Sequence, residues 1–465
     1  MRVCMILEGC YPYVYGGVSS WTHNYIQAMP EVEFVLWCIG AKAEQRGKFK
    51  FELPKNVVEV HEVFLDDALR QKMTQQKLQI NTKEKDAMQR LFQCEKTDWD
   101  ILFELFQEKK ANPVNLLMSE NFLNMLIEIC HDKFPYISFA DFFYTVRSMM
   151  LPELYLMTQE IPKADIYHAT ATGYGGLLAS MAKWKYHKPM ILTEHGIYTR
   201  EREEELLRAT WVLPYFRQQW IDLFYMFSEC AYQHANYVTS LFQRASHTQE
   251  ELGCAKEKLR VIENGIRYER FVNIPQKKID DWIDIGAVVR IAKIKDIKTM
   301  IYAFAEVKVD VPNARLHIMG DVDDREYFEE CKLLIEQLDV KDIIFTGVVN
   351  VVEYMEKIDF TILTSISEGQ PLSVLESFAA GRACVTTDVG CCKELLEDRD
   401  GFGEAGICVP PMHKDRLAQA IVLLCREPEL RYRMGMAGRK RAAARFTHEI
   451  SMEKYKKLYE EVVER

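Results

Sequence analysis

The chain contains thirteen cysteines but no Cys-x-x-Cys pair and no regular spacing among them. An odd, unpatterned set argues against a disulfide framework and reads as a reduced cytosolic protein. Long apolar runs are missing as well. No stretch approaches the ~18 uninterrupted apolar residues of a membrane span. The N-terminus, M-R-V-C-M-I-L-E-G, passes straight into a strand-like run with neither a basic n-region nor a long apolar h-region. No signal peptide is expected from it. Positive charge is not in excess: the formal net charge of -10 argues against nonspecific nucleic-acid binding. There is no H-E-x-x-H, no G-x-x-x-x-G-K-[ST] and no G-x-S-x-G, so the chemistries those motifs carry have no support.

What is present is an ordinary globular composition, 48% apolar and 28% charged, over 465 residues. That length suggests two or three domains with ample core. Short Val/Ile-rich runs alternate with longer helical patterns. The first series of expected strands is Val3–Leu7, Glu33–Cys38, Val57–Val60, Ile166–Ala169, Met190–Thr193, Tyr237–Ser240 and Arg260–Ile262. A second series follows at Ile283–Val289, Arg315–Met319, Ile343–Thr346, Phe360–Leu363, Ala383–Thr386 and Gly406–Val409. Strand and helix alternating this often imply parallel sheets covered by helices, with ligands beyond the carboxyl ends of the strands. We expect an N-terminal domain over 1–274, a linker near Asn273–Asp281, a C-terminal domain over 275–447 and a last helix over 448–465 packing back on the first. Two such domains facing each other would make a deep cleft. Residues 65–162, rich in Leu, Met, Phe, Gln and Lys, read as a helical insertion, because a strand connection needs only about a dozen residues. The basic run Arg439-Lys-Arg441 with Arg445 reads as a solvated helix face.

The segment S-E-G-Q-P-L-S-V-L-E-S-F-A-A-G (367–381) carries the densest chemistry. Pro371 suits a first helical turn and Gly381 a helix end, which puts Glu368 on a strand-to-helix loop and Glu376 inside the helix. Gly369 permits close backbone approach, and the N–H groups near Leu372 and Ser373 form an anion seat at the helix N-terminus. A phosphate seat with a carboxylate on either side suits a sugar nucleotide. Gly16-Gly17 after the first strand permits phosphate contact, or marks a tight turn. His195, in Thr193-Glu194-His195-Gly196, is expected at a strand's carboxyl end, or else as a hydrogen-bonded core histidine. Arg200 and Arg202 would meet substrate or lie on a solvated face. Arg290 and Lys295 on one strand-to-helix turn would neutralise a diphosphate without metal. The pairs Asp98/Asp100 and Asp321/Asp323 invite a metal reading, but two carboxylates with no further oxygen ligands define no site. Cys391-Cys392 reads as buried packing.

Taken together, Gly16-Gly17, His195, Arg290, Lys295 and Glu368…Glu376 resemble the retaining glycosyltransferases of family 4. The segments E-G-C-Y-P-Y-V-Y-G-G-V-S-S-W (8–21), T-E-H-G-I-Y-T-R-E-R (193–202), R-x-x-x-I-K-D-I-K-T (290–299) and S-E-G-Q-P-L-S-V-L-E (367–376) are similar to those of the Pel exopolysaccharide glycosyltransferases. The resemblance implies the GT-B architecture, α/β with two Rossmann-like domains, here with a helical insertion in the first. It implies transfer of a hexosyl unit from a UDP-sugar, UDP-glucose before a UDP-N-acetylhexosamine, to a polysaccharide acceptor. It assigns His195, Arg290, Lys295 and Glu368 to catalysis. It assigns Gly16, Gly17, Arg290, Lys295, Glu368, Gly369, Gln370, Pro371, Leu372, Ser373 and Glu376 to the donor, with Thr346–Val349 beside the base. No cofactor or metal is implied, and the implied partners are inner-membrane Pel proteins reached from the cytoplasm. Arg267 in N-G-I-R (264–267) stands where the family often has an acid, and Val289 stands where it usually has glycine. A non-catalytic nucleotide-sugar-binding subunit, a GT-B epimerase and a pyridoxal-dependent phosphorylase are the competing readings.

Overall fold

The computed structural model describes residues 1–75 and 79–464. The chain divides into two compact units: unit 1 is Met1–Ser240, Ala245–Val261 and Lys456 onward, and unit 2 is Leu241–Arg244 with Ile262–Tyr455.

Unit 1 is built on seven strands: β1 Arg2–Glu8, β2 Glu33–Gly40, β3 Val57–Phe64, β4 Ile166–Ala169, β5 Met190–Glu194, β6 Tyr237–Ser240 and β7 Leu259–Val261. They pair in parallel in the order β3-β2-β1-β4-β5-β6-β7. The five residues Val3–Leu7 are all buried, as a strand covered on both faces requires. β3 runs four residues beyond the expected Val60 because it is the edge strand. There His61 and Glu62 stay in contact with water, so polar residues do not end it.

Six strands form unit 2: β8 Ile283–Val288, β9 Ala314–Met319, β10 Ile343–Gly347, β11 Phe360–Leu363, β12 Cys384–Thr387 and β13 Gly406–Val409. The order is β10-β9-β8-β11-β12-β13, again parallel throughout. In both sheets the order reverses beside the first strand, at β1/β4 and at β8/β11. That switch point is where an open parallel sheet leaves room for a ligand.

Three expectations are corrected. The division falls after Val261, ahead of the expected linker. Ile266, Phe271 and Ile274 are buried in the core of unit 2, and the Lys277 ammonium lies 2.7 Å from the Asp284 carboxylate. Arg441 is not solvated. It is 1% exposed and clamps Asp400 at 2.6 and 2.8 Å while donating to the carbonyls of Leu395 and Gly403. Pro371 precedes its helix, which starts at Leu372, and has an extended ψ of 113°.

The insertion folds into helices between Thr82 and Met157, the first opened by a capping box from Asn81 and Glu84. Its Leu91, Phe103, Phe122, Met149 and Leu154 belong to the same buried core as Leu178, Met181 and Ala231. It therefore enlarges the core of unit 1. Leu123 and Ile127, one helical turn apart, remain exposed on it. The last helix, His448–Glu464, buries Leu458, Tyr459 and Val462. The Tyr459 hydroxyl lies 2.7 Å from His168 Nδ1 within unit 1. Among the described residues no helix is long and apolar enough to cross a membrane.

Candidate active site

In unit 2 the loop after β11 and the turn after β8 are tied together. Thr364 Oγ1 donates to the Lys295 carbonyl at 2.8 Å, and Ile366 N–H donates to the Ile294 carbonyl at 2.9 Å. These bonds fix two chain segments 69 residues apart in sequence. Lys295 Nζ then donates to Glu368 Oε1 at 2.5 Å, and Ser365 Oγ donates to the same oxygen at 2.5 Å. Both side chains of the pair are mostly shielded, 18% and 13% exposed, so water screens their attraction less than at an open surface. The Lys–Glu contact was not readable from spacing. It follows from the topology, in which β8 and β11 are neighbours.

Four residues after Glu368 the Leu372–Ala379 helix begins, with no side-chain cap and no acidic residue in its first turn. The N–H groups of Leu372 and Ser373 are left to solvent or to an anion, while Val374 N–H donates to the Pro371 carbonyl at 3.2 Å. Gln370 Oε1 accepts from Asn264 N–H at 2.6 Å, which pins the loop from the other side. Gly390, absent from the sequence reading, matters here. Its φ is +54°, and a Cβ there would stand 2.2 Å from the Gly369 carbonyl oxygen and 2.3 Å from that of Glu368. The neighbouring Cys391 N–H donates to the Gly369 carbonyl at 3.1 Å. Only glycine lets the Gly390 turn support this loop so closely.

Arg290 is not part of that cluster. Its side chain is 66% exposed and ion-pairs with Asp323. Asp321 accepts from Val322 N–H at 2.8 Å, so the pair Asp321/Asp323 is engaged with protein groups. Asp98 caps a helix by accepting from Ile101 N–H, and Asp100 lies 3.2 Å from His234 Nε2. Among the described residues no group of three or more His, Cys, Asp and Glu could hold a metal ion. Val348, in the loop after β10, is exposed.

Glu376 lies inside its helix as expected, and burial pushes its carboxyl from 4.5 up to about 7, opposed weakly by the charge of Arg270. The sign is definite. Between the ordinary value and about 7 the folded chain keeps a proton that the unfolded chain has lost, so this group lowers stability as pH rises through that window. A ligand hydroxyl donating to Glu376 is held more strongly by the ionised form. On the donor role that the motif resemblance assigns to Glu376, affinity for UDP-glucose is expected to weaken as pH falls below 7, approaching about tenfold per pH unit. Calorimetric titration from pH 5.5 to 8 checks it, and Glu376→Gln should flatten the curve. A flat curve in the unaltered protein would remove Glu376 from the donor site.

In unit 1 a cavity of 540 Å³ opens at the carboxyl ends of β1 and β5, lined by Glu8, Gly9, Val18, His195, Tyr198 and Arg202. Gly16 and Gly17 open the Gly17–Gln27 helix, which also lacks a side-chain cap and an acidic first turn. A Cβ at either glycine would meet nothing within 4 Å, so internal packing does not explain why neither carries a side chain. His195 follows the last residue of β5 and packs edge-on against Trp21, with ring centroids 4.5 Å apart. Its Nε2 is buried with no protein partner, and burial holds the imidazole down at about 4. His195 is thus neutral near pH 7 and offers a hydrogen bond, not a charge. Glu194 turns inward, held by Tyr232 Oη at 2.7 Å and Gln249 Nε2 at 2.8 Å. Glu8, not singled out from the sequence, accepts from Tyr198 Oη at 2.6 Å and from Gly175 N–H at 3.0 Å. The signal available was a carboxylate at a strand end ahead of a glycine. Arg202 lies over the Tyr198 ring and pairs with Glu205 at 2.7 Å, while Arg200 is exposed.

Comparison with known proteins agrees with this architecture. Residues 1–257 match the family described as Domain of unknown function (DUF3492), and residues 270–441 match the family Glycosyl transferases group 1. The chain is 23% identical over 305 residues to an MMP alpha-(1->4)-mannosyltransferase of Mycolicibacterium hassiacum, covering 65% of this chain and 71% of that one. It is 26% identical over 306 residues to the putative glycosyltransferase EpsD of Bacillus subtilis, covering 63% and 76%. The crystal structure of Anabaena Alr3699/HepE in complex with UDP and glucose superposes with a TM-score of 0.59 at 14% identity over 99% of both chains, a likeness of fold. With more than half its length in the first match and most of its second unit in the other, the chain belongs to the DUF3492 family and is a glycosyltransferase of GT-B fold with a group 1 domain.

Proposed function

We propose that this chain is a retaining glycosyltransferase that moves a hexosyl unit, glucose first among candidates, from a UDP-sugar to a growing exopolysaccharide of the Pel type. The observation that carries the reading is the pairing of Lys295, on the turn after β8, with Glu368, on the loop leading into an uncapped helix N-terminus. In this reading Lys295, Arg290 and the N–H groups of Leu372 and Ser373 hold the diphosphate. Glu368 Oε2 takes a sugar hydroxyl, since Oε1 already accepts from Lys295 and Ser365. Glu376 accepts from the ribose. In unit 1, the Gly16-Gly17 loop and neutral His195 are the groups that the motif resemblance assigns to phosphate and sugar. As the bond from the anomeric carbon to the phosphate oxygen breaks, UDP leaves with the electron pair. The acceptor oxygen bonds to that carbon on the same face, and its proton passes to the departing phosphate oxygen. The protein supplies position and charge stabilisation and no base of its own.

UDP and glucose bound to HepE, and polysaccharide-linked names among the relatives, support a UDP-sugar donor and a saccharide acceptor. The motif resemblance to the Pel glycosyltransferase PelF supports the Pel acceptor, a cytoplasmic site of action and inner-membrane Pel partners. Titration with a panel of nucleotide sugars, followed by product analysis with and without oligosaccharide acceptors, tests the reading. Binding of UDP-sugars with acceptor-dependent transfer is expected. Binding without turnover favours a non-catalytic subunit, and interconversion of two UDP-sugars without acceptor favours an epimerase. Because side chains and a helix N-terminus neutralise the diphosphate here, binding and transfer are expected to survive EDTA. Strict dependence on added magnesium or manganese, removed by Asp321→Ala, would contradict that.

A further inference from the structure

We propose that Asp296 is a positioning residue of the donor site, its left-handed backbone setting the turn that presents Lys295 to Glu368. Asp296 joins the turn Lys293–Lys295 to the helix Ile297–Asp310 with φ 47° and ψ 53°. A side chain strains that conformation, and Asp and Asn bear it best. Capping explains part of the choice, since Asp296 Oδ1 accepts from Thr299 N–H at 3.3 Å. It does not explain the backbone, because an ordinary N-cap does the same from an extended conformation. Oδ2, moreover, is buried and has no hydrogen-bond partner among the described residues. A strained backbone and an unpartnered buried oxygen are both unfavourable, and a cap requires neither.

What the conformation gives is a run of three carbonyls facing the loop after β11. Ile294 accepts from Ile366 N–H at 2.9 Å, Lys295 from Thr364 Oγ1 at 2.8 Å, and Asp296 from the same hydroxyl at 3.2 Å. At the extended ψ of an ordinary cap the Asp296 carbonyl would swing by about 80°, away from Thr364. On its other side Asp296 meets a fixed element. Ile297, Met300, Ile301 and Phe304 of the helix are fully buried, and Lys298 N–H donates to Tyr327 Oη at 3.2 Å. A helix anchored in the core does not shift to suit the turn. The torsions of Asp296 therefore decide where the Lys295 side chain leaves the backbone. A lysine stem is flexible. With its root fixed, the ammonium meets Glu368 Oε1 at 2.5 Å in a mostly shielded place.

This inference rests on the assignment of Lys295 to the diphosphate. Two substitutions in the full-length enzyme separate backbone from cap. Asp296→Gly keeps the left-handed torsions and gives up the cap oxygen, whereas Asp296→Ser keeps a cap oxygen and disfavours the torsions. UDP affinity is read by calorimetry and kcat/KM by transfer from UDP-glucose, at a temperature where circular dichroism shows both variants folded. Asp296→Ser is expected to lose at least about tenfold in kcat/KM and about fivefold in UDP affinity, and Asp296→Gly no more than about threefold in either. A loss in Asp296→Gly that equals or exceeds the loss in Asp296→Ser overturns the proposal, because a cap alone predicts that order. In a Lys295→Ala background the serine should lose nothing further, since the group it positions is gone. A full additional loss there overturns the positioning role and leaves the Lys295 assignment standing. Unchanged UDP affinity in Lys295→Ala alone overturns that assignment, and this proposal with it.

Discussion

Lys295→Ala is expected to lower kcat/KM about 10²- to 10³-fold, the cost of removing one preorganised group that stabilises developing charge. The ammonium sits within 2.5 Å of Glu368 Oε1 and is only 18% exposed. On the proposed reading its removal takes a cation from the leaving diphosphate, and it leaves the Glu368 carboxylate without its counter-ion. UDP affinity should fall as well, by about 1.5–3 kcal/mol for a charge-assisted contact. Arg290→Ala should cost less, because the guanidinium is 66% exposed and shared with Asp323. Steady-state kinetics and calorimetry check both. Unchanged UDP affinity in the two single variants would sink the assignment.

Gly390→Ala is expected to damage the same loop from behind. A left-handed φ for a non-glycine residue costs about 1–3 kcal/mol. The added methyl would also stand 2.2 Å from the Gly369 oxygen, a distance no real contact permits. Either Gly390 or the Glu368-Gly369 backbone must move, and both are held, by the Cys391 N–H bond to Gly369 and the Gln370 bond to Asn264. We expect a lower unfolding midpoint together with at least about tenfold weaker UDP-glucose binding. Retained donor affinity at normal stability would show that the Gly390 turn does not set the loop geometry.

The two variants mark where the sequence was legible and where it was not. All thirteen strands were readable because buried parallel strands are short, β-branched and punctuated by turns, and their errors fall at the ends. β3 outran its expected end because an edge strand tolerates His61 and Glu62. The Glu368…Glu376 segment was readable because its chemistry is local: loop, glycine, helix start. Contacts between distant segments were not. The Lys295–Glu368 pair depends on which strands are neighbours, and the role of Gly390 depends on a backbone approach that no spacing reveals. Arg441 misled because it stands among the cations Arg439, Lys440 and Arg445, while its partner Asp400 is 41 residues away. Its burial is decided by that pairing and not by its neighbours.

The most direct test of the transfer itself is the anomeric configuration of the product. Incubating the enzyme with UDP-glucose and an oligosaccharide acceptor, and reading the new linkage by proton NMR, should show the α configuration of the donor carried into the product. A β linkage, or release of glucose from UDP-glucose with no acceptor-bound product under any condition tried, would contradict the account.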